Sequence, residues 1–223
     1  MAFLTGRIKP VNKFITFEGI EGSGKSTQIE LAAAYLREKA IPCVVTREPT
    51  GTDIGMKIAD ILFKREHGHL CAEAEMLLFC AARAQHVRTV IQPALREGKV
   101  VLCDRFSDAT YAYQGAGRGL DREIIRIIND YSAVHTRPDL TLLFDLPVEA
   151  GLIRATARNN RLDDPAASDR FERETLEFHR RIREGYLEIL KNSPERFRLI
   201  DADRNIDAIQ EDVRRHISAL IKQ

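Results

Sequence analysis

The chain has 223 residues, 44% hydrophobic and 30% charged, the balance of an ordinary water-soluble globular protein with enough apolar side chains for one large core. Its 34 Lys and Arg against 33 Asp and Glu leave a net charge of +1, which excludes wholesale coating of nucleic acid and makes any cationic site a local one. No apolar run approaches the ~18 residues of a membrane span, and the opening MAFLTGRIKPVNK is too short in apolar residues for a signal peptide, so a cytoplasmic protein is expected.

In chain order, the predicted elements alternate strand and helix. KFITFE is a short apolar run that leads into a glycine-rich turn and then KSTQIELAAAYLREK, where Ile29, Ala32, Ala33 and Leu36 recur at helical spacing. CVVTRE reads as a second strand, followed by two helices, GMKIADILFKR and the long AEAEMLLFCAARAQHVRTVIQPALREG. KVVLCDR is a third strand and REIIRIINDYSA a helix; LTLLFDL is a fourth strand, and VEAGLIRATAR begins a helix. After the polar stretch NNRLDDPAASD come one long helix from Arg170 to Asn192, a last strand FRLID and a terminal helix. Five nearly continuous apolar strands with helical crossovers predict an α/β fold: one domain, built on a five-stranded parallel sheet covered by helices on both faces.

Two minor signals accompany this order. Cys43, Cys71, Cys80 and Cys103 form no C-x-x-C pair, and three lie in apolar or helical stretches, the pattern of reduced thiols serving as small hydrophobes. His67, His69 and Cys71 alternate as zinc ligands can, but no fourth ligand is near, and a solvated turn is the expected reading.

The glycine turn carries the chemistry. Gly19-Ile20-Glu21-Gly22-Ser23-Gly24-Lys25-Ser26 fits G-x-x-x-x-G-K-[ST] in full, after a predicted strand and before a predicted helix. Glycines let the backbone approach phosphates, successive N–H groups line an anion-binding concavity, and the helix adds its positive N-terminal end. Lys25 is expected on the β/γ-phosphates, the Ser26 hydroxyl on Mg²⁺ and Thr27 beside the α-phosphate, which makes ATP the donor. Neither a guanine-reading N/T-K-x-D nor an L-S-G-G-Q occurs, which argues against a switch GTPase and a transporter ATPase and leaves a small phosphotransferase. Asp104 ends the third strand, where a Mg²⁺–water ligand belongs, and Arg105 follows it. Phe79 and Arg83 stand at i and i+4 on one helix face, as a base-stacking and hydrogen-bonding pair or as a core Phe with a solvated Arg.

FEGIEGSGKST, TREPTGT, LLFCAARAQH, DRFSDATYAYQGAGRGL and PDLTLLFDLPVE together resemble thymidylate kinases, from about Phe14 to the final helix. The resemblance implies transfer of the ATP γ-phosphoryl to dTMP with Mg²⁺, in a homodimer, with no nucleic-acid or membrane partner. It implies that Glu21 meets the deoxyribose 3′-hydroxyl and that Arg47 and Arg105 hold the acceptor phosphate. Phe79 would stack on thymine, Arg83 bond its edge, and Glu48, Thr110, Tyr113 and Gln114 line the base and sugar, with Tyr113 crowding the 2′ position. Glu48-Pro49 is a candidate cis bond. The P-loop has no arginine while residues 154–170 have Arg154, Arg158, Arg161 and Arg170, so the chain resembles the branch with its catalytic arginine in a mobile lid; Arg158 and Arg161 are the expected clamps. Residues 1–12 form an N-terminal extension. The sequence departs from the family pattern at Thr50, Ala59 and Ala109, all on the acceptor side. The rival readings are a kinase for another acceptor, such as dUMP or thymidine, and a nucleotide-binding regulator without transfer activity.

Overall fold

The computed structural model describes residues 11–63, 70–161 and 170–222. The expected sheet forms, with β1 (Phe14–Glu18), β2 (Cys43–Arg47), β3 (Val100–Asp104), β4 (Leu140–Asp145) and β5 (Phe197–Asp201) in the order β2-β3-β1-β4-β5. All four pairings are parallel. The central β1 is buried from end to end, which is why its sequence is apolar until Glu18 except for Thr16, whose hydroxyl pairs with that of Thr141 on β4. In the register, Phe17 and Arg47 both face Asp104, so the carboxyl ends of β1, β2 and β3 finish level. The strand order reverses beside β1, and ligands of open α/β sheets bind in the crevice outside the carboxyl ends of such strands.

Helices cover both faces. α1 (Lys25–Glu38) buries the predicted stripe Ile29, Ala32, Ala33 and Leu36 and packs against α9 (Ile206–Ile221). α2 (Asp53–Phe63) packs on α3 (Ala72–His86), which packs in turn on α6 (Arg122–Ser132). The segment read as one helix from 72 to 98 widens into a π-helical turn at Val87–Ile91 before α4 (Gln92–Arg96). Pro93 has no N–H to donate and its ring crowds the carbonyl of residue 89, and a wider turn accommodates both. α5 (Ser107–Thr110) likewise opens into a π-helical turn, Tyr111–Gly117, where no regular element was expected. α7 (Val148–Arg161) leads toward the lid, and a 3₁₀ turn at Phe171–Arg173 precedes α8 (Leu176–Asn192). That last helix begins six residues later than the sequence reading placed it. Thr175 is extended and its hydroxyl accepts from the Phe178 N–H, an N-cap that fixes the start.

All four cysteines are free thiols, and no helix among the described residues is long and apolar enough to cross a membrane. His67 and His69 lie outside the described residues, as do residues 1–10 of the extension, residues 162–169 of the lid and the side chain of Arg161.

Candidate active site

Between β1 and α1 the backbone takes positive φ at Gly19, Gly22 and Gly24. A Cβ on Gly22 would lie 2.0 Å from the Gly151 carbonyl oxygen, so a side chain there is excluded by packing as well as by conformation. For Gly24, at φ 84°, an added Cβ would meet nothing within 4 Å; it caps α1 without a side chain and leaves the first-turn amides without a side-chain acceptor, as an anion-binding helix start requires. Lys25 is buried and folded over the loop, donating to the carbonyls of Gly19 (3.0 Å) and Ile20 (2.8 Å) and to Ser23 Oγ (3.0 Å). Gly19 and Ile20 therefore enter the site through their oxygens. Burial, then the charge of Arg105, lowers the Lys25 ammonium to about 8 against the pull of Asp104, Glu21 and Glu18. Ser26 Oγ donates to Asp104 Oδ2 at 3.1 Å, and Arg47 reaches the same oxygen at 3.4 Å. Thr27 is exposed at the start of α1.

Arg105 occupies the centre. Its backbone is left-handed, φ 65°, and is pinned by its own N–H to the Phe17 carbonyl (3.0 Å). The guanidinium lies 4.7 Å over the Tyr113 ring and donates to Tyr186 Oη (3.2 Å) and Glu21 Oε1 (3.0 Å). Tyr113 Oη donates to the same Glu21 oxygen at 2.5 Å. Burial pushes the Glu21 carboxyl up, but Arg105, His179, Lys25 and Tyr113 outweigh it and hold it at about 2. The other Glu21 oxygen is 3.5 Å from His179 Nδ1, and both of those atoms are otherwise unpartnered.

Glu18, which the sequence reading passed over, supports this arrangement. Its carboxyl accepts from the Phe106 N–H and from Tyr186 Oη, each at 2.7 Å, and so braces the strained turn from both sides. The signal was present: an ionisable residue at the end of a buried strand that is otherwise uncharged. Burial, then the charge of Asp108, holds Glu18 at about 8, above its ordinary 4.5, against Arg105, Tyr186 and the Phe106 amide. A folded-state value above the unfolded one means that the native protein binds the extra proton in that window. This contribution to stability is complete below about 4.5 and is lost as pH climbs toward 8. Urea unfolding at about pH 5.5 and about pH 8 is therefore expected to show a steeper fall in stability for the native chain than for Glu18→Gln. Equal slopes would contradict the assignment.

The acceptor-side residues line the same cleft of ≈ 270 Å³ as Glu21, Gly22, Lys25, Ser26 and Asp104. Phe79, Thr110, Tyr113 and Gln114 are all in its wall, with Arg47, Glu48, Arg105 and Arg158. Phe79 packs at tilted or edge angles on Phe63 and Phe171, with ring centroids 6.2 and 6.1 Å away. Phe171, within the span predicted as one long helix, is instead in a 3₁₀ turn, buried against Phe63, Phe79, Tyr113 and Phe178, and lines the cleft. Nothing local in its sequence announced this.

Arg83 does share a face with Phe79 and lines the same cleft, but it is not solvated. It is 2% exposed, and its Nε donates to Glu48 (2.8 Å), Nη1 to Asn129 (2.7 Å) and weakly to Cys80, and Nη2 to Thr110 (3.0 Å) and the Phe106 carbonyl (3.2 Å). All five N–H groups thus have acceptors, so Arg83 ties α3 to the β2 and β3 ends and must exchange a bond to reach a ligand. Glu48-Pro49 is cis, as anticipated. Of the three departures, Thr50 and Ala109 line the cleft, whereas Ala59 is buried in α2. Gly51 beside Thr50 is fixed by packing, since a Cβ there would lie 2.5 Å from the His86 ring.

The arginines at and near the lid sort by their partners. Arg154 is held outside the cleft by the Ala202 carbonyl (2.9 Å) and Asp203 (2.8 Å). Arg170 bonds Glu75 on α3, and Arg158 reaches the cleft wall.

A family model described as Thymidylate kinase matches residues 17–213 of this chain. The chain belongs to the thymidylate kinase family. A thymidylate kinase of Syntrophus aciditrophicus is 53% identical over 210 residues, covering 94% of this chain and 96% of that one. One from Geobacter sulfurreducens is 52% identical over 195 residues, 87% and 91% of the two chains. The crystal structure of thymidylate kinase from Ehrlichia chaffeensis superposes with a TM-score of 0.74 at 32% identity, covering 93% of this chain and 98% of that one. This chain is therefore an ATP-dependent nucleoside monophosphate kinase by family, and the cleft of Lys25, Arg105 and Phe79 is its candidate active site.

Proposed function

We propose that this thymidylate kinase family member transfers the γ-phosphoryl group of ATP to dTMP, giving dTDP. The observation that carries the proposal is a single cleft lined both by the phosphate-binding loop and by Phe79, Tyr113, Gln114 and Phe171, with Arg105 and Arg158 in the same lining. ATP phosphates fit the amides of residues 19–27, and Lys25 leaves its loop carbonyls for the β/γ oxygens as they enter. Ser26 and Asp104, two hard-oxygen donors 3.1 Å apart at the cleft, fit a Mg²⁺ ion, which when bound neutralises charge on the phosphate oxygens. Few protein ligands are needed, because Mg²⁺ in such sites keeps waters and substrate phosphates.

The acceptor base stacks on Phe79 and its phosphate meets Arg47 and Arg105. Glu21, held ionised by Arg105, takes the 3′-hydroxyl, and Tyr113 crowds the 2′ position. No general base is required, because the acceptor phosphate is already anionic; positioning and charge neutralisation do the work. Arg158 and Arg161 clamp the migrating phosphoryl from the lid at 154–170, whose closure excludes competing water. An acceptor panel tests the reading: with ATP and Mg²⁺, ADP release is expected with dTMP and far less with dUMP, UMP, CMP or thymidine. Turnover of another acceptor alone, or ATP binding with no turnover, would overturn it.

The protein is further proposed to be a cytoplasmic homodimer without a nucleic-acid partner. Ile54 and Met56 on α2, Leu77 on α3, and Ile124, Ile127 and Tyr131 on α6 are exposed, and these three helices are packed side by side. Apolar side chains exposed on three neighbouring helices favour a subunit contact. Sedimentation should give twice the chain mass for the native protein and one chain mass for Leu77→Glu/Ile127→Glu; a native monomer would refute the dimer.

A further inference from the structure

Glu75 lies on α3 one turn before Phe79 and is 1% exposed. Four donors converge on it. Oε1 accepts from Gln114 Nε2 (2.8 Å) and Arg118 Nε (3.2 Å); Oε2 accepts from Arg118 Nη2 (3.1 Å) and from Arg170 Nη2. A carboxylate can only accept, so the Gln114 atom turned toward it must be the amide nitrogen. Gln114 is itself 2% exposed and lines the acceptor cleft, and its carboxamide has one oxygen left over.

We infer that Glu75 is a positioning residue that fixes the carboxamide of Gln114 with its oxygen toward the acceptor base, making the pocket a reader of an imide N3–H edge. The inference rests on the acceptor reading given above and deepens it. Thymine and uracil offer a donor at N3, which the Gln114 oxygen can accept. Cytosine offers a lone pair at the same place, and two acceptors face to face repel while leaving buried polar atoms unpaired. Sites built around such a hydrogen bond reject the wrong partner far more strongly than apolar pockets do. Arg118 and Arg170 hold the carboxylate in place, so neither oxygen is free to turn away.

The substitution Glu75→Gln makes this testable, because it keeps shape while removing the acceptor-only character together with the charge that Arg118 and Arg170 pair with, and Glu75→Asp keeps both. With two obligate donors, Arg118 Nη2 and Arg170, on one side, the new side-chain oxygen is drawn to them. Its amide nitrogen then faces Gln114, whose carboxamide satisfies it by turning over and presenting its own nitrogen to the base. The readout is the ratio of kcat/KM for dTMP to that for dCMP in the full chain at one pH and one ATP concentration. The ratio is expected to fall at least about tenfold in Glu75→Gln. Glu75→Asp, shorter but still acceptor-only, is expected to keep the ratio within about threefold even where both rates drop. A ratio unchanged in Glu75→Gln, or lost equally in Glu75→Asp, would overturn the inference while leaving a native preference for dTMP intact. A native enzyme that prefers dCMP, or does not turn over dTMP, would overturn the acceptor reading and this inference together.

Discussion

Lys25→Met lowers kcat for phosphoryl transfer at least about a thousandfold and leaves the protein close to native stability. The rate effect follows from place: Lys25 is the cation on the donor wall nearest the phosphate-binding turn, and transfer of a phosphoryl group depends on fixed positive charge where negative charge develops. The stability effect is a near cancellation. Removing the ammonium forfeits three hydrogen bonds to Gly19, Ile20 and Ser23, at roughly 1 kcal/mol each. It also relieves the penalty recorded in a pKa lowered from 10.5 to about 8, which corresponds to about 3 kcal/mol. Methionine fills the same volume. Steady-state kinetics and a melting curve on one preparation check both halves. A mutant within tenfold of native kcat would remove Lys25 from the mechanism.

Arg105→Met is expected to differ in kind, lowering kcat/KM about 10³–10⁵-fold and also destabilising the fold. Here the side chain is structural as well as functional. Its loss strands Glu21, held near 2 chiefly against burial by this guanidinium, and uncovers the Tyr113 ring. Breaking a fully buried ion pair costs about 3–5 kcal/mol, and with Arg105 about one-fifth exposed roughly 2–3 kcal/mol is expected. Adding Glu21→Gln should restore much of the stability and none of the rate. A double variant as unstable as the single one would mean that the Glu21–Arg105 pair is not what the substitution breaks.

The two cases illustrate which parts of the site the sequence made legible. The phosphate-binding turn was readable because its chemistry is local: contiguous residues, a strand before and a helix after, with positive φ where glycine permits it. Phe79, Tyr113 and Gln114 were placed by resemblance, and the helices that carry them deliver them to one cleft. Arg83 was half legible. Its face of α3 was right and it lines the cleft, but its bond to Asn129, 46 residues away, cannot be seen in a periodicity, and that bond helps make it a buried tie and not a solvated cation. Glu18 hid in plain view because a strand was read for its apolar residues and not for the one that broke the pattern. Phe171 and Glu75 depend on how the chain returns from the lid to α8 and on four donors from two distant segments, information held by tertiary packing alone. Arg154 shows the converse: a plausible lid arginine by position is committed to Asp203 and the Ala202 carbonyl.

The central claim is direct transfer between two nucleotides held in one cleft. Its most direct test is a single turnover with enzyme in excess over ATP labelled in the γ-phosphate, with Mg²⁺ and dTMP present. The account predicts that the label leaves ATP and arrives in dTDP at the same rate, with none on the protein and none in inorganic phosphate. Label that accumulates on the protein, or that goes to water while dTMP is unchanged, would contradict it.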